Sequence, residues 1–448
     1  MMRIGLDFGT TNSGAAVFDG GRLRTFLLDP TSSDPTVIRS TIYLTRDHQV
    51  FIGREAIDVY YRQNVGRPSK MVRRYVGEIE MLFAELPQIV KEVYVLVDEL
   101  LPGRLLRSLK SGLATGYEGT TVFGRYYELE ELIALYLREV RKRVEAETGQ
   151  PVEGVVLGRP VNFVGGSGEA DNRRAQARLR RAAEMAGFDE VAFELEPVAA
   201  ALHYALTTGK PQNIVVFDFG GGTLDITVMR VGEPGKEQVF ASGGVGIAGD
   251  VFDQRIIEAL LLDHLGRGST WGDGDAPFPN QYTAALVNWQ AIPELARPET
   301  LHFLRLAQIS GSHPARVRAL ESLLVNNDAA RLFDEVEAAK IALSEAHFAA
   351  IRLTGQDIDL WQPLTRSQFE SLIAEEANRI EACLLDTLAR SGLRAADIDA
   401  AVRTGGSAQI PCFIDLLGRV FDPEKVVLSS VFGGVTAGLA VRAAMLEM

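Results

Sequence analysis

Two short segments of the sequence combine a carboxylate with glycines and side-chain hydroxyls, the residue types that bind phosphate groups. They are residues 7–12 (DFGTTN) and 218–223 (DFGGGT). Glycine lets the backbone approach an anion, and the amides and hydroxyls of a tight turn form an anion-binding concavity. A β-hairpin with a polar turn would explain either segment alone, but three consecutive glycines weaken such a turn unless something must come close. We therefore predict a polyphosphate clasped from both sides by Gly9, Thr10, Thr11, Asn12, Gly220, Gly221, Gly222 and Thr223.

Asp7 and Asp218 each end an apolar strand directly before these turns. A carboxylate there is costly unless it meets a cation or hydrogen-bond donors. Beside phosphates, two such carboxylates indicate Mg²⁺, an ion that prefers to keep much of its water. The alternative is that each aspartate caps its own turn.

The two segments belong to one repeated pattern of strand, small-residue turn and strand, at residues 4–18 and 215–229. The copies lie close to half the chain apart. Such a repeat indicates two lobes of related design, lobe I at 1–212 and lobe II at 213–448.

Hydrophobic periodicity supplies the remaining elements. In the first half it predicts a helix over about 128–147, a buried strand at 154–158 and a helix at 171–186. In the second half it predicts helices at about 251–265, 328–346, 367–391 and from 435, with an insertion or exposed loop at 266–300. Alternating strands and helices indicate an α/β fold.

A competing motif lies at residues 244–249 (GVGIAG), which match the dinucleotide pattern GxGxxG and precede a predicted helix. A lone match is weak, and no second strand–helix unit ending in an acidic residue follows it. The glycines still suit a helix N-terminus near phosphate. No GxxxxGK[ST] or GxSxG motif occurs, and the six histidines have no metal-ligand spacing.

The composition restricts the partners and the compartment. The chain has 59 acidic and 46 basic residues and a net charge of −13, so we expect neither nucleic-acid binding nor attraction to an anionic membrane. Among the bases, 38 are Arg and 8 are Lys, which we interpret as a genomic bias. Cys383 and Cys412 form no paired motif, the first residues lack the long apolar stretch typical of a signal peptide, and no run of 18 apolar residues occurs. We expect a cytoplasmic protein.

Several ordered motifs resemble those of the seventy-kilodalton heat-shock chaperone ATPases, within the superfamily that includes actin and sugar kinases. Both turns resemble its two phosphate loops, and residues 196–205 (EPVAAALHYA) resemble its Glu-Pro-Thr-Ala-Ala-Ala segment. Residues 247–253 (IAGDVFD) resemble its Leu-Gly-Gly-Glu-Asp-Phe-Asp segment. Residues 337–344 (EAAKIALS) and 405–411 (GGSAQIP) resemble its two adenosine motifs. The resemblance implies an actin-like ATPase fold, with two ribonuclease-H-like lobes flanking a nucleotide cleft.

The resemblance also implies roles for individual residues. The phosphates of ATP or ADP would be held by the two turns, with Gly249 and Asp250 nearby. Hydrated Mg²⁺ and the attacking water would be positioned by Asp7, Asp218 and Glu196, and Asp225 is a candidate ligand of K⁺. Thr223 is counted with Glu196 and Asp218 among the catalytic residues. The ribose and adenine would be contacted by Glu337, Lys340, Ser344, Gly405, Gly406 and Ser407.

The family also uses a lysine of the first lobe near the γ-phosphate, and two lysines are candidates. Lys110, in the sequence SLKSGL, fits the family context better than Lys70, in SKMVRR. A positive charge there would stabilise the transferring phosphoryl oxygens. A solvated surface lysine is the alternative for either residue.

The sequence also departs from the family pattern. Ile341 and Gln409 stand where the family has arginines, which weakens the expectation for adenine binding, and Gln176 replaces the arginine that partners the switch proline, Pro160. The chain ends after the last helix of an ATPase domain, so we expect a member that resembles the truncated bacterial ATPases without a peptide-binding domain. The extra residues fall at 78–106 and 266–300.

The first functional hypothesis is therefore a slow, Mg²⁺-dependent chaperone ATPase in which nucleotide closes the lobes. A co-chaperone or exchange factor and a protein client are the implied partners. A nucleotide-sensing adaptor with little hydrolysis and an actin-like assembly protein are the main alternatives. A small-molecule kinase is disfavoured by the heat-shock-like adenosine motifs.

Overall fold

The computed structural model describes residues 2–19, 21–32, 34–64, 67, 70–81, 89–166, 168–208, 210–232, 237–272, 275–288, 292–429 and 433–446. By its internal contacts the chain divides into two compact units. Unit 1 comprises residues 1–59, 104–252 and 370–448, and unit 2 comprises residues 60–103 and 253–369. The predicted lobe boundary at 212 falls inside unit 1, and the division into lobes stays a prediction.

The described part of the chain forms strands of two to eleven residues. In chain order they are β1 (Met2–Phe8), β2 (Asn12–Asp19), β3 (Arg22–Thr25), β4 (Ile38–Arg39), β5 (Thr41–Thr45), β6 (Val50–Ile52), β7 (Met71–Met81), β8 (Ile89–Asp98), β9 (Gly103–Arg107), β10 (Gly119–Val122), β11 (Arg125–Glu128), β12 (Val152–Arg159), β13 (Glu190–Leu195), β14 (Gln212–Phe219), β15 (Leu224–Val231), β16 (Gln238–Val245), β17 (Thr270–Trp271), β18 (Ala276–Pro277), β19 (Phe348–Gly355), β20 (Ile358–Thr365), β21 (Ala400–Thr404) and β22 (Val426–Leu428).

The α-helices are distributed over both units. They are α1 (Gly53–Asn64), α2 (Leu129–Thr148), α3 (Glu169–Met185), α4 (Glu196–Thr208), α5 (Gly249–Ile256), α6 (Asn280–Ala284), α7 (Ile292–Leu295), α8 (Pro298–Ser310), α9 (Pro314–Val325), α10 (Ala329–Glu345), α11 (Arg366–Leu372), α12 (Ala374–Arg390), α13 (Pro411–Phe421) and α14 (Gly434–Met445). A 3₁₀ turn at Leu109–Gly112 carries Lys110.

Unit 1 contains two sheets of the same topology. The first has the order β13-β12-β1-β2-β3, with β4 pairing β2, and the second has the order β16-β15-β14-β21-β22. In the first, β1 pairs antiparallel with β2 and parallel with β12. In the second, β14 pairs antiparallel with β15 and parallel with β21. The repeat read from the sequence is therefore a repeat of the fold, and each copy places its glycine turn after the central strand.

Alternation along β1 separates its core residues from its functional one. Ile4, Leu6 and Phe8 are buried in a core that also contains apolar residues of α2 and α3. Gly5 and Asp7 lie on the opposite face, because successive side chains of a strand point to opposite sides. A Cβ on Gly5 would lie 2.1 Å from the backbone nitrogen of Ala440, so α14 packs directly on this face.

The helix α14 also packs against α4 through small residues. A Cβ on Gly438 would lie 1.6 Å from the carbonyl oxygen of Ala199. Buried alanines and valines of these two helices form a second core with Ile214 and Val216 of β14. The close packing fixes α4 beside α14 and the central strand β14, and α4 begins with Glu196.

Unit 2 corrects one of the two alternatives predicted for residues 266–300, the exposed loop. Its described residues include two short strands, β17 and β18, and the helices α6 and α7 rather than an exposed loop. Phe278 and Leu286 are buried, and Trp271 packs edge-on against Phe303 at 4.9 Å between ring centroids. Helices α8 and α9, which the sequence pattern did not single out, follow.

The other predicted elements agree with the structure, with two exceptions. Helix α2 matches the prediction over 128–147, and α3, α10 and α14 match theirs within a few residues, whereas the single helix predicted over 367–391 is two helices, α11 and α12, separated at Ile373. The predicted helix over 251–265 is α-helical only to Ile256, and continues as a π-helix at Ile257–Leu261 and a 3₁₀ turn at Leu262–Leu265. The other predicted insertion, 78–106, contributes to β7, β8 and β9, and its residues 82–88 lie outside the described residues. No helix in the described part of the chain has the length and apolarity needed to cross a membrane.

Candidate functional site

The two glycine turns of unit 1 lie against each other. A Cβ on Gly221 would lie 2.0 Å from Oγ1 of Thr11, and a Cβ on Gly222 would lie 2.6 Å from Oγ1 of Thr10. Neither glycine has a positive φ, so it is the close approach of the other turn that requires glycine here. The structure therefore brings together the two segments that the sequence predicted to face each other.

Two hydrogen bonds from later segments of the chain hold the second turn. Oγ of Ser407 donates to the carbonyl oxygen of Gly220 at 2.7 Å, and the backbone amide of Asp250 donates to the carbonyl oxygen of Gly221 at 2.9 Å. The N–H groups of Gly221 and Gly222 donate to no acceptor among the described residues. Unpaired turn amides of this kind are suited to bind an anion.

An aromatic cluster lies beneath the same turn. Phe219, the last residue of β14, packs edge-on against Phe413 and Phe252, with ring centroids 5.0 and 5.8 Å apart. All three rings are buried. Sequence reasoning missed Phe413, although its position in an amphipathic helix after residues 405–411 is a usable signal.

Three aspartates form the acidic part of the site. Asp218 and Asp225 are directly opposite each other in the β14–β15 pair, and Asp7 occupies the equivalent place on β1. Burial, reinforced by the charge of Glu196, raises the pKa of Asp7 to about 7 against the attraction of Lys110. Burial and the charge of Glu196 likewise raise the pKa of Asp225 to about 7.

Asp218 has the most unfavourable surroundings of the three. Burial, together with the charges of Glu196, Asp225 and Asp7, raises its pKa well above the ordinary value. Like charges placed opposite each other on neighbouring strands destabilise a sheet. Among the described residues, this cluster thus has more carboxyl groups than its one neighbouring cation, Lys110, can neutralise.

Lys110 is the one cation that the described residues place within this cluster. It is 6% exposed, and its Nζ donates to Oε1 of Glu196 at 2.5 Å. Burial alone would lower the pKa of Lys110, but the charges of Glu196 and Asp7 raise it above the ordinary value. Lys110 is therefore a buried cation beside the aspartates.

Lys70, the runner-up, has a different environment. Its Nζ pairs with Oε2 of Glu99 at 2.8 Å, and its side chain is 63% exposed. An exposed pair of this kind is the solvated surface lysine considered as the alternative. Burial thus favours Lys110, whose assignment the sequence context had left open.

Asp225 has a further contact that sequence reasoning missed. The backbone amide of Val161 donates to Oδ1 of Asp225 at 2.8 Å. Val161 follows Pro160, the first residue after β12, so this hydrogen bond joins the segment after the first sheet to the second sheet. A backbone donor 64 residues away leaves no signal in the sequence.

The predicted adenosine residues fall in different units. Glu337, Lys340 and Ser344 share one face of α10 in unit 2, where Nζ of Lys340 pairs with Oδ2 of Asp253 at 2.8 Å. Ile341, the replacement for the family arginine, is 57% exposed.

Gly405, Gly406 and Ser407 belong to unit 1. Gly405 has φ +86°, and a Cβ there would lie 2.3 Å from the carbonyl oxygen of Phe219, so both its conformation and its surroundings require glycine. The nucleoside-binding roles of both groups of residues stay predictions.

The described residues contain no group of three or more His, Cys, Asp or Glu side chains arranged to ligate a metal ion directly. The predicted metal residues Asp7, Glu196, Asp218 and Asp225 nevertheless offer hard oxygen donors around uncompensated charge. Such a set fits a magnesium ion that keeps most of its water.

Two sheets of identical topology whose central strands end in facing glycine turns define the actin-like ATPase fold. A family model described as "Hsp70 protein" matches residues 3–267 and 321–448. The chain belongs to the Hsp70 family. The gap between the two matched ranges contains most of the predicted insertion at 266–300.

A curated relative agrees with this assignment. The chaperone protein dnaK of Cyanidioschyzon merolae (strain NIES-3377 / 10D) is 26% identical over 466 aligned residues, which cover 99% of this chain. The chain spans 63% of the length of that relative.

Proposed function

We propose that this protein is an Mg²⁺-dependent ATPase that binds ATP and hydrolyses it slowly to ADP and phosphate. One observation carries the proposal: unit 1 unites two facing glycine–threonine turns with a buried Lys110–Glu196 pair and three aspartates. Unpaired amides, hydroxyls and one buried cation suit a polyphosphate, and the surplus carboxylates suit its metal ion. Membership of the Hsp70 family supports the same conclusion.

The turns would hold the β- and γ-phosphates. Gly221 and Gly222 offer unpaired amides, and the hydroxyls of Thr10 and Thr11 lie against them. The two turns are completed by Gly9, Asn12, Gly220 and Thr223. The second turn is held by the backbone amides of Gly249 and Asp250, which donate to the carbonyl oxygens of Gly220 and Gly221. Because both turns rest on central strands, the phosphate oxygens would meet a rigid set of donors.

Asp7, Asp218, Glu196 and Asp225 would hold the hydrated cations, with Asp225 as the candidate for K⁺. When bound, Mg²⁺ would neutralise phosphate charge and orient the phosphates. The fit rests on the donor set: Asp218 and Asp225 are directly opposite each other in the β14–β15 pair, and burial, reinforced by the charge of Glu196, raises the pKa of Asp7, Asp218 and Asp225.

The protein's own residues would position the attack. Glu196 and Asp218 would orient a water molecule in line with the γ-phosphate and accept its proton. Lys110 would stabilise the charge on the transferring oxygens, since its ammonium is desolvated and fixed by Glu196 before substrate arrives. Thr223, at the end of the second turn, would be the fourth catalytic residue beside Lys110, Glu196 and Asp218.

The wider function follows from the family and is part of the proposal. We propose a chaperone-type ATPase in which nucleotide drives closure of two lobes, with a co-chaperone or exchange factor and a protein client as partners, in the cytoplasm. Glu337, Lys340, Ser344, Gly405, Gly406 and Ser407 stay the candidates for contacts with the nucleoside.

Single-turnover hydrolysis of radiolabelled ATP by Lys110→Met and Lys70→Met tests the assignment. We expect Lys110→Met to slow hydrolysis by about 100-fold or more, in line with the loss of one charge-stabilising group. Lys70→Met is the matched control, and its rate should equal that of the wild type.

Binding of ATP and thermal melting are measured in the same samples to show that Lys110→Met is folded. Equal rates for Lys110→Met and the wild type would refute the catalytic role. Tight binding without hydrolysis in the wild type would favour the nucleotide-sensing adaptor instead.

A further inference from the structure

The segment that follows Lys110 is held by one arginine of α3. Nη1 of Arg178 donates to the carbonyl oxygens of Gly112 and Leu113 at 3.3 and 3.2 Å. Its Nη2 donates to the carbonyl oxygen of Tyr117 at 3.0 Å. Gly112 closes the 3₁₀ turn Leu109–Gly112, so Arg178 binds the end of the turn on which Lys110 stands.

Arg178 is itself fixed by Glu130 in the first turn of α2. Its Nε donates to Oε1 at 2.7 Å and its Nη2 to Oε2 at 3.2 Å, and the two side chains are only 14% and 9% exposed. Burial alone would raise the pKa of Glu130, but the hydrogen bonds from Arg178 hold it below its ordinary value. A paired guanidinium in this forked geometry is rigid, and a lysine could not reproduce it.

The turn needs such support because its backbone begins in a sparsely populated conformation. Ser108, the residue before the turn, has φ +54° and ψ +35°, the left-handed region that non-glycine residues seldom occupy. A conformation of this kind persists only where the surroundings enforce it. Within the turn, the amide of Leu113 donates to the carbonyl oxygen of Lys110 at 3.2 Å, so a shift of Leu113 would be transmitted to Lys110.

A second arginine of the same helix extends the support. Nη2 of Arg174 donates to the carbonyl oxygen of Ala114 at 2.6 Å. Four carbonyl groups between residues 112 and 117 therefore receive donors from α3. The position of the Lys110 ammonium group must be accurate, because its Nζ lies 2.5 Å from Oε1 of Glu196 and beside three aspartates.

We propose that Arg178, fixed by Glu130, is a positioning residue for Lys110: it binds the carbonyls after the 3₁₀ turn and so sets where the ammonium group meets the γ-phosphate. The inference rests on the proposed catalytic role of Lys110. Arg178 does not touch the phosphate turns, and it acts through the backbone of residues 112–117.

A double-mutant cycle separates positioning from general stabilisation. Arg178→Met should slow single-turnover hydrolysis by roughly 10- to 100-fold, the cost of displacing a reacting group by a fraction of an ångström to 1 Å, with ATP affinity changed less than threefold. In the Lys110→Met background the same substitution should slow hydrolysis no further. Equal slowing in both backgrounds, or none in the wild-type background, would overturn the inference.

Two further variants keep the test decisive. Arg180→Met removes an arginine of the same helix whose Nη1 donates to the carbonyl oxygen of Val191 at 2.5 Å, and its hydrolysis should match the wild type. If Arg178→Met does not fold, Arg178→Lys keeps the charge without the fork and should still slow hydrolysis severalfold at unchanged ATP affinity. A wild-type rate for Arg178→Lys would then count against positioning.

The cycle also distinguishes this inference from the proposed function. A normal rate for Lys110→Met alone removes the catalytic role of Lys110 and the positioning role with it. A slow Lys110→Met together with a normal Arg178→Met leaves the proposed function intact and removes only the role of Arg178.

Discussion

Replacing Gly221 with alanine tests whether the contact between the two turns is essential. The added Cβ would lie 2.0 Å from Oγ1 and 3.1 Å from Cβ of Thr11. Real Cβ atoms do not approach other heavy atoms closer than about 3 Å, so the turns would have to separate by about 1 Å while the hydroxyl of Thr11 keeps its position. If that hydroxyl rotates away, it leaves its place beside Gly221, and the turns must still separate by a few tenths of an ångström. Gly221 has no positive φ, and alanine would therefore bring no backbone strain of its own.

The magnitude follows from that displacement. Overpacking of this size costs about 1–3 kcal/mol of unfolding free energy. A misplacement of about 1 Å in a catalytic arrangement costs about 100-fold in rate. We expect Gly221→Ala to remain folded, to bind ATP more weakly, and to hydrolyse it about 100-fold more slowly in a single-turnover assay.

Gly418→Ala is the matched control, because a Cβ at Gly418 would meet only Pro423, at 3.4 Å or more, and Gly418 has no positive φ and no part in the proposed site. Its hydrolysis rate and its melting temperature should stay close to those of the wild type. If Gly221→Ala bound and hydrolysed ATP as the wild type does, the facing turns could not be the phosphate site.

Three further predictions concern charge and packing. Asp218→Asn should abolish most Mg²⁺-dependent turnover. It should also raise the melting temperature of the nucleotide-free protein at pH 8, because it removes a carboxyl group whose ionisation is disfavoured by burial and by the neighbouring carboxylates. Unchanged hydrolysis in Asp218→Asn would contradict the role assigned to Asp218. Asp7 and Asp225 have folded pKa values of about 7, above the roughly 4 of an unfolded chain, so the metal-free folded state binds more protons and its unfolding free energy should fall as pH rises from about 4 to 7. Adding Mg²⁺ should therefore stabilise the protein more at pH 8 than at pH 6, and calorimetry that showed equal shifts would contradict the carboxylate site. Gly438→Ala should lower the unfolding free energy by about 2 kcal/mol or more in urea titrations, since its Cβ would lie 1.6 Å from a backbone oxygen of α4.

Local sequence patterns predicted much of the fold and the central residues of the site. Strand–turn–strand alternation around Asp7 and Asp218 predicted both hairpins, and the repeat predicted two sheets of one design. These features are encoded within about fifteen consecutive residues, so the sequence displays them directly. The facing of the two turns followed from their chemistry.

Contacts between residues far apart in the chain could not be predicted from the sequence. The support of Lys110 by Arg178 joins residues more than sixty positions apart, and the high arginine content concealed it as a compositional bias. Lys110 is buried where it pairs with Glu196, 86 residues further along the chain, whereas Lys70 pairs at the surface with Glu99. The exposed-loop alternative for residues 266–300 was wrong because their glycines, prolines and asparagines indicate loop, whereas buried side chains such as Phe278 and Leu286 stabilise short elements there.

The most direct test of the central claim is single-turnover ATP hydrolysis, with and without Mg²⁺, and with ATP binding followed in the same samples. We expect tight binding of ATP and slow hydrolysis that requires Mg²⁺ and is lost in Asp218→Asn. Absence of ATP binding, or hydrolysis that persists unchanged in Asp218→Asn, would contradict the central claim.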